Sequence, residues 1–259
     1  NELPKPVYRV APGLASVREG LEALLGRVGG QSEIERFLRE TTLALLTAAR
    51  MLESVGTKDF YYHSVELYGR PASLASDRKT TNLDLAQHFD QVIAAFKPPR
   101  DAADEPSIPA EQAVPILKQR FEAFFVGREI RVSLVDGGPA LASASAEEIR
   151  VRRDAVFSPR DLRQIEYHEG HVHVATAING RAQGLLPHIG HPSPRSTATQ
   201  EGLAVLTEFL TQATSLQRLR RLSDRTIAIH MAEEGADFVQ LYRFFLAHGH
   251  DEGAAFDCA

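Results

Sequence analysis

Residues 158 to 173 read Ser158-Pro159-Arg160-Asp161-Leu162-Arg163-Gln164-Ile165-Glu166-Tyr167-His168-Glu169-Gly170-His171-Val172-His173. The first four residues start a helix. Ser158 can cap the orphan amides, Pro159 suits the first helical position, and Asp161 complements the helix dipole. Asn179-Gly180 offers a stop. Between start and stop, three His and one Glu fall within six residues of a chain that holds 10 His in all. Neutral imidazole is a good ligand for a divalent transition metal such as zinc, so the stretch predicts a metal-binding helix.

The spacing is H-E-x-x-x-H, from His168 to His173. In the H-E-x-x-H pattern the two His lie at i and i+4, about 40° apart on a regular helix, whereas residues five apart diverge by about 140°. His168 and His173 therefore share one ion only if the turn between them carries an extra residue. A π-bulge supplies it, and Gly170 makes such a distortion cheaper. This is the preferred reading; His168 with His171, at i and i+3, is the alternative that needs no distortion. Glu169 follows the first ligand directly, where its carboxylate can stand beside the metal as general base.

A catalytic zinc takes three protein ligands and keeps one position open. A following helix, expected to begin near Ser196 to Thr199, opens with Gln200-Glu201-Gly202-Leu203-Ala204. Glu201 is the expected third ligand, with Glu208 as a weaker candidate or as a partner to a His ring nitrogen. Gly202 suggests close approach by a neighbouring backbone. His188 and His191 are read as cleft-lining or exposed, His230, His248 and His250 as surface residues, and Arg218 to Arg221 as a solvated helix face with some ion pairing.

Outward from the metal helix, Glu129 to Val135 and Ile149 to Arg152 alternate in strand fashion, the first followed by the turn Asp136-Gly137-Gly138. A helix with a kink or break at Pro115 precedes them. The first half reads as helices over residues 15 to 28, from Ser32 (a capping box with Glu35) to about Gly56, after Thr57, and from Thr81 to about Phe96. Lys97 to Pro109, KPPRDAADEPSIP, reads as a linker. The expected fold is α+β and mostly helical. Residues 1–105 form a helical region and residues 106–259 a metallopeptidase core with a short sheet, together one compact catalytic domain.

The 259 residues are 43% hydrophobic and 24% charged with net charge -5, enough for a real core and without the basic footprint of a nucleic-acid binder. No apolar run is long enough to span a bilayer, and Asn1 to Lys5 lacks a signal pattern. The single Cys258 argues for no disulfide, and a reducing, cytoplasmic setting is the expectation.

With these residues in hand, the chain resembles the metallopeptidase family of the microtubule-associated tyrosine carboxypeptidase, whose bacterial members carry the label flavohaemoglobin expression-modulating QEGLA motif protein. The resemblance lies in H-E-x-x-x-H at His168 to His173, Asn179-Gly180 with Gln183, and the QEGLA string at Gln200 to Ala204, and it covers about Ile149 to Phe245. It implies a zincin-like region with Zn2+ held by His168, His173 and Glu201, Glu169 as general base, and a carboxypeptidase that removes a C-terminal tyrosine or similar residue from a peptide or protein. The bacterial character of the match argues against tubulin as substrate. An exopeptidase also needs a cation for the terminal carboxylate. Arg152 and Arg153 on the strand entering the metal helix, and Arg195 ahead of Glu201, are the candidates, with Asn179 a further substrate-binding candidate. The rival reading is a non-catalytic metal-binding regulatory protein modulating expression of other proteins, with a closed site that would also recruit His171 or Glu208.

Overall fold

The computed structural model describes residues 7–75, 77–95, 102–137, 140–145, 147–184 and 186–259. The chain is mostly helical with short strands, an α+β protein as expected. It divides into two units, residues 1–70 with 192–199, and residues 71–191 with 200–259.

In the first unit, α1 (Leu14–Arg27), α2 (Glu33–Glu53) and α3 (Lys58–Tyr68) pack in sequence order. Local chemistry sets their starts. Ser32 and Glu35 form the expected capping box, and Thr57 caps α3 by accepting from the Asp59 amide. Arg18 of α1 ties to Glu53 of α2 at 3.2 Å, and the Thr47 hydroxyl donates to Glu66 of α3 at 3.1 Å.

In the second unit, α4 (Asn82–Ala95) precedes a strand pair and a small sheet. β1 (Ile108–Pro109) leads directly into α5 (Ala110–Phe124). The sheet has the order β2 (Arg131–Val135), β4 (Glu148–Arg152), β3 (Ala142–Ser145), with β2 parallel and β3 antiparallel to the central β4. β5 (Val156–Phe157) returns to pair antiparallel with β1. Along β4, Ile149 and Val151 are buried while Arg150 between them is exposed, the period of two that made the strand legible. Those two residues join Ala113, Leu117 and Phe121 of α5 and Phe157 of β5 in the core.

Against that core lies the helix that carries the His cluster, in three consecutive segments: α6 (Pro159–Ile165), a π-helix (Glu166–Val174) and α7 (Ala175–Ala182). Leu162 and Ile165 of α6, Val174 of the π-helix and Ile178 of α7 face the core and hold the run in place. Then come α8 (Pro194–Leu210), α9 (Leu216–Glu233), α10 (Phe238–Ala247) and α11 (Glu252–Cys258). The last three close a smaller core of Ala228, Leu241, Phe245 and Ala255.

Several local expectations are corrected. The helix does not break at Pro115, because α5 runs through it from Ala110 to Phe124 with Ala113, Leu117 and Phe121 buried on either side. Asn179-Gly180 does not stop the metal helix, which continues to Ala182. Gly180 instead permits close approach, since a Cβ there would lie 2.6 Å from the Gly190 nitrogen. The chain turns at Gly184, with φ 70°. Gly202 has the opposite outcome, facing open space with nothing within 4 Å of its would-be Cβ. α8 begins at Pro194, two residues before the earliest start expected. Of the expected linker, residues 97–101 lie outside the described residues, as does Gly138 of the turn after β2.

Candidate metal centre

The Ser158 hydroxyl accepts from the Asp161 amide at 3.0 Å, and an Asp161 oxygen accepts from the Ser158 amide at 2.9 Å, so α6 starts from a capping box. From Glu166 onward the backbone runs in π form for nine residues, a longer distortion than the single bulge the spacing called for. Bonding from i to i+5 stacks residues five apart, which brings His168 and His173 to one face with ring centroids 5.0 Å apart. Gly170 has a second role here. A Cβ on it would lie 2.3 Å from Cε1 of Phe121, so its absence lets the π-helix sit down on α5. Arg120 of α5 pairs with Glu166 at 2.9 Å across the same contact.

α8 delivers Glu201 to the two rings. Glu201 Oε2 is 3.4 Å from His168 Nε2, and Oε1 is 3.5 Å from His173 Nε2. Two donors each about 2.1 Å from one tetrahedral ion stand about 3.4 Å apart, so each His nitrogen lies at ligand spacing from a Glu201 oxygen. Among the described residues these three form a group able to hold a metal ion. The Glu201 side chain is 56% exposed, which leaves an approach from solvent.

Glu169 stands beside the group and outside it, with Oε1 3.9 Å from His168 Nε2. Burial raises its pKa above the ordinary carboxylate value, against the pull of His168 and His173 and a backbone hydrogen bond from Ala144 of β3. At His168, burial disfavours positive charge, but the carboxylates of Glu201, Glu208 and Glu169 outweigh it and push the imidazole up to about 9. The same surroundings favour a cation at Nε2. The Glu201 carboxyl is lowered, chiefly by its contact with His168.

Glu208, one of two roles considered for it, lies behind His168. It is fully buried, 0% exposed, with Oε1 2.7 Å from His168 Nδ1. Arg218 of α9 grips it from the other side. His171 leaves the group altogether. Its ring stacks on Phe124 at 3.6 Å and meets Tyr167 edge-on at 4.9 Å, and burial lowers its pKa.

The residues expected to hold a substrate carboxylate have acidic partners. Arg152 pairs with Asp154 at 2.7 Å and Arg153 with Asp136 at 2.7 Å. Arg195, in the first unit, pairs with Glu40 and covers the Phe37 ring. Asn179 is exposed on α7, where its backbone carbonyl accepts from Gln183. Arg218 to Arg221 show the expected ion pairing, but on a half-buried face and not a solvated one. Arg218 holds Glu208, Arg220 pairs with Asp90 of α4 at 3.5 Å, and Arg221 is half-buried. His248 and His250 are likewise drawn inward, 2.6 Å and 2.8 Å from the fully buried carboxylate of Asp224. The roles of Ala144 and Arg218 were missed. Ala142-Ser143-Ala144-Ser145 has no apolar side chain large enough to mark a strand, and a cluster of Arg reads as surface until a buried acid is known to face it.

Fold and site define a mostly helical α+β protein with a two-histidine, one-glutamate group able to hold a metal ion and a buried carboxylate beside it. The family model described as microtubule-associated tyrosine carboxypeptidase matches residues 1–259, the whole chain, and the protein belongs to that family. Membership points to a carboxypeptidase-like peptidase. No curated protein and no solved structure gave a significant match. No helix among the described residues is long and apolar enough to cross a membrane.

Proposed function

We propose that the protein is a zinc-dependent carboxypeptidase that removes a C-terminal tyrosine or similar residue from a peptide or protein. The observation that carries this reading is the convergence of His168, His173 and Glu201 at 3.4 Å and 3.5 Å with Glu169 alongside. Three protein donors with the third largely exposed leave a side open to water and substrate, as catalysis requires and a closed structural site does not. Zinc held there supplies a Lewis acid that polarises the scissile carbonyl and makes water a better nucleophile at neutral pH. Glu169 takes the proton from the attacking water and returns it to the leaving amine. Its burial, which raises its pKa, suits both halves of that transfer. Glu208 holds His168 by Nδ1 so that Nε2 faces Glu201 and His173.

An exopeptidase further requires a cation for the substrate's terminal carboxylate, and Arg152, Arg153 and Arg195 remain the proposed positions, with Asn179 as a further substrate contact. Each Arg would exchange its present acidic partner for the substrate. The test is mass spectrometry of a peptide panel differing in the final residue and in C-terminal amidation. Loss of a single terminal Tyr from free peptides, with amidated ones untouched, is the expected outcome. Equal cleavage of free and amidated peptides, or cuts at internal bonds, would overturn the exopeptidase reading.

A further inference from the structure

We propose that Arg218 is a positioning residue for the metal centre: its fork fixes the Glu208 carboxylate, Glu208 fixes the His168 imidazole, and the affinity of the three-ligand group for its ion depends on that fork. This rests on the metal-centre reading above and extends it outward by two residues. Glu208 is 0% exposed, so its two oxygens need partners held inside the protein. Its Oε1 accepts from Arg218 Nη2 at 3.2 Å and meets His168 Nδ1 at 2.7 Å, while Oε2 accepts from Arg218 Nε at 3.3 Å. With both oxygens held, the carboxylate cannot rotate about its own bond without losing a contact to the guanidinium. An ionised carboxylate only accepts, so Nδ1 of His168 is the donor, and Nε2 is the nitrogen left facing Glu201 and His173.

The backbone supports the same arrangement from both ends. The Glu208 carbonyl accepts from the amides of Ala213 at 2.8 Å and Thr214 at 3.3 Å, and Ser215 caps α9 by accepting from the Arg218 amide at 3.0 Å. The ten-residue path from Glu208 to Arg218 is thus pinned at each terminus. The Arg218 side chain is largely shielded, so its pairing is not the screened kind found on open surfaces. Arg221, one turn along α9, provides an internal comparison. It acts on Glu208 through its charge but makes no hydrogen bond or ion pair among the described residues.

The experiment measures zinc affinity of the full chain by competition with a chromogenic chelator, and the imidazole nitrogens of His168 by NMR in chelator-treated protein well above pH 9, where the ring is neutral. Arg218→Gln should weaken zinc by about 10- to 100-fold, as expected for loss of a group that orients a ligand. Arg218→Lys should fall between, because an ammonium offers charge without the fork, and it serves where the Gln variant fails to fold. Arg221→Gln should stay near wild type, and Arg218→Gln should add nothing in a Glu208→Gln background. The His168 spectrum should show Nδ1–H in the wild type and a mixture of tautomers in Arg218→Gln. Wild-type affinity in Arg218→Gln, an equal loss in Arg221→Gln, or additive losses with Glu208→Gln would overturn the proposal. A wild type that binds no zinc would fail the metal-centre reading instead. The tautomer spectrum would then decide the positioning alone, and an unchanged spectrum in Arg218→Gln would refute it.

Discussion

Replacing Gly170 by Ala adds one methyl group at the contact that seats the π-helix on α5. The new Cβ would stand 2.3 Å from Cε1, 3.0 Å from Cδ1 and 3.1 Å from Cζ of Phe121. Ordinary carbon contacts lie at about 3.5 to 4.0 Å, so the closest overlap exceeds about 1 Å. The ring cannot swing away, because Phe121 is fully buried in the core with Leu117 and Phe125 around it. Overpacking of this kind costs about 1 to 3 kcal/mol, and a clash with three ring atoms belongs at the upper end. Ala gains up to about 1 kcal/mol over Gly in a regular helix. The net loss is about 1 to 2 kcal/mol, a fall in melting temperature of roughly 2 to 8 °C for a chain of this size. Chelator-treated protein followed by circular dichroism reads it without contribution from metal. Combining Gly170→Ala with Phe121→Leu should cost less than the sum of the two single changes, since Leu lacks the ring atoms that overlap. A Gly170→Ala protein as stable as wild type, or more so, would show that helix propensity wins and that the π-helix does not depend on this contact.

His173→Ala should abolish high-affinity zinc binding, measured by equilibrium dialysis, while His171→Ala keeps it and loses only about 1 kcal/mol of stacking on Phe124. In chelator-treated protein, His168 is raised from 6.5 to about 9. A group raised on folding stabilises fully below its unfolded value and loses that contribution as pH climbs through the folded one. Stability on the order of 3 kcal/mol should therefore vanish between about pH 6.5 and pH 9 in wild type but not in His168→Asn, by urea unfolding across that range. Asp224→Ala removes the acceptor of two inward-facing imidazoles and should cost about 2 to 4 kcal/mol by the same assay. A loss below about 1 kcal/mol would mean that His248 and His250 find water instead.

What could be read from the sequence was local. Ser32 and Ser158 announced their helices because a cap is chemistry between a side chain and amides two or three residues away. The π distortion was legible for a different reason, since His168 and His173, five residues apart, cannot share one face of a regular helix. Tertiary contacts decided the rest. Gly180 looked like a stop and serves as a contact with Gly190, whereas Gly202 looked like a contact and faces open space. Neither outcome follows from propensity, which sees only the residue's own backbone. β3 was invisible because Ala142 to Ser145 carry small side chains, and β4 dictates that they form an edge strand. Arg218, His248 and His250 were taken for surface groups. They turn inward because Glu208 and Asp224 are buried carboxylates that need donors, and no local pattern reveals that an acid is buried.

We propose that the group of His168, His173 and Glu201 holds a catalytic zinc with Glu169 as its base. The most direct test measures zinc content and peptide hydrolysis together in Glu169→Gln. The amide fills the same volume, can still hydrogen-bond a water and cannot take its proton. One zinc per chain is expected, as in wild type, with hydrolysis reduced by about three or more orders of magnitude. Hydrolysis near the wild-type rate, or loss of the zinc itself, would contradict it.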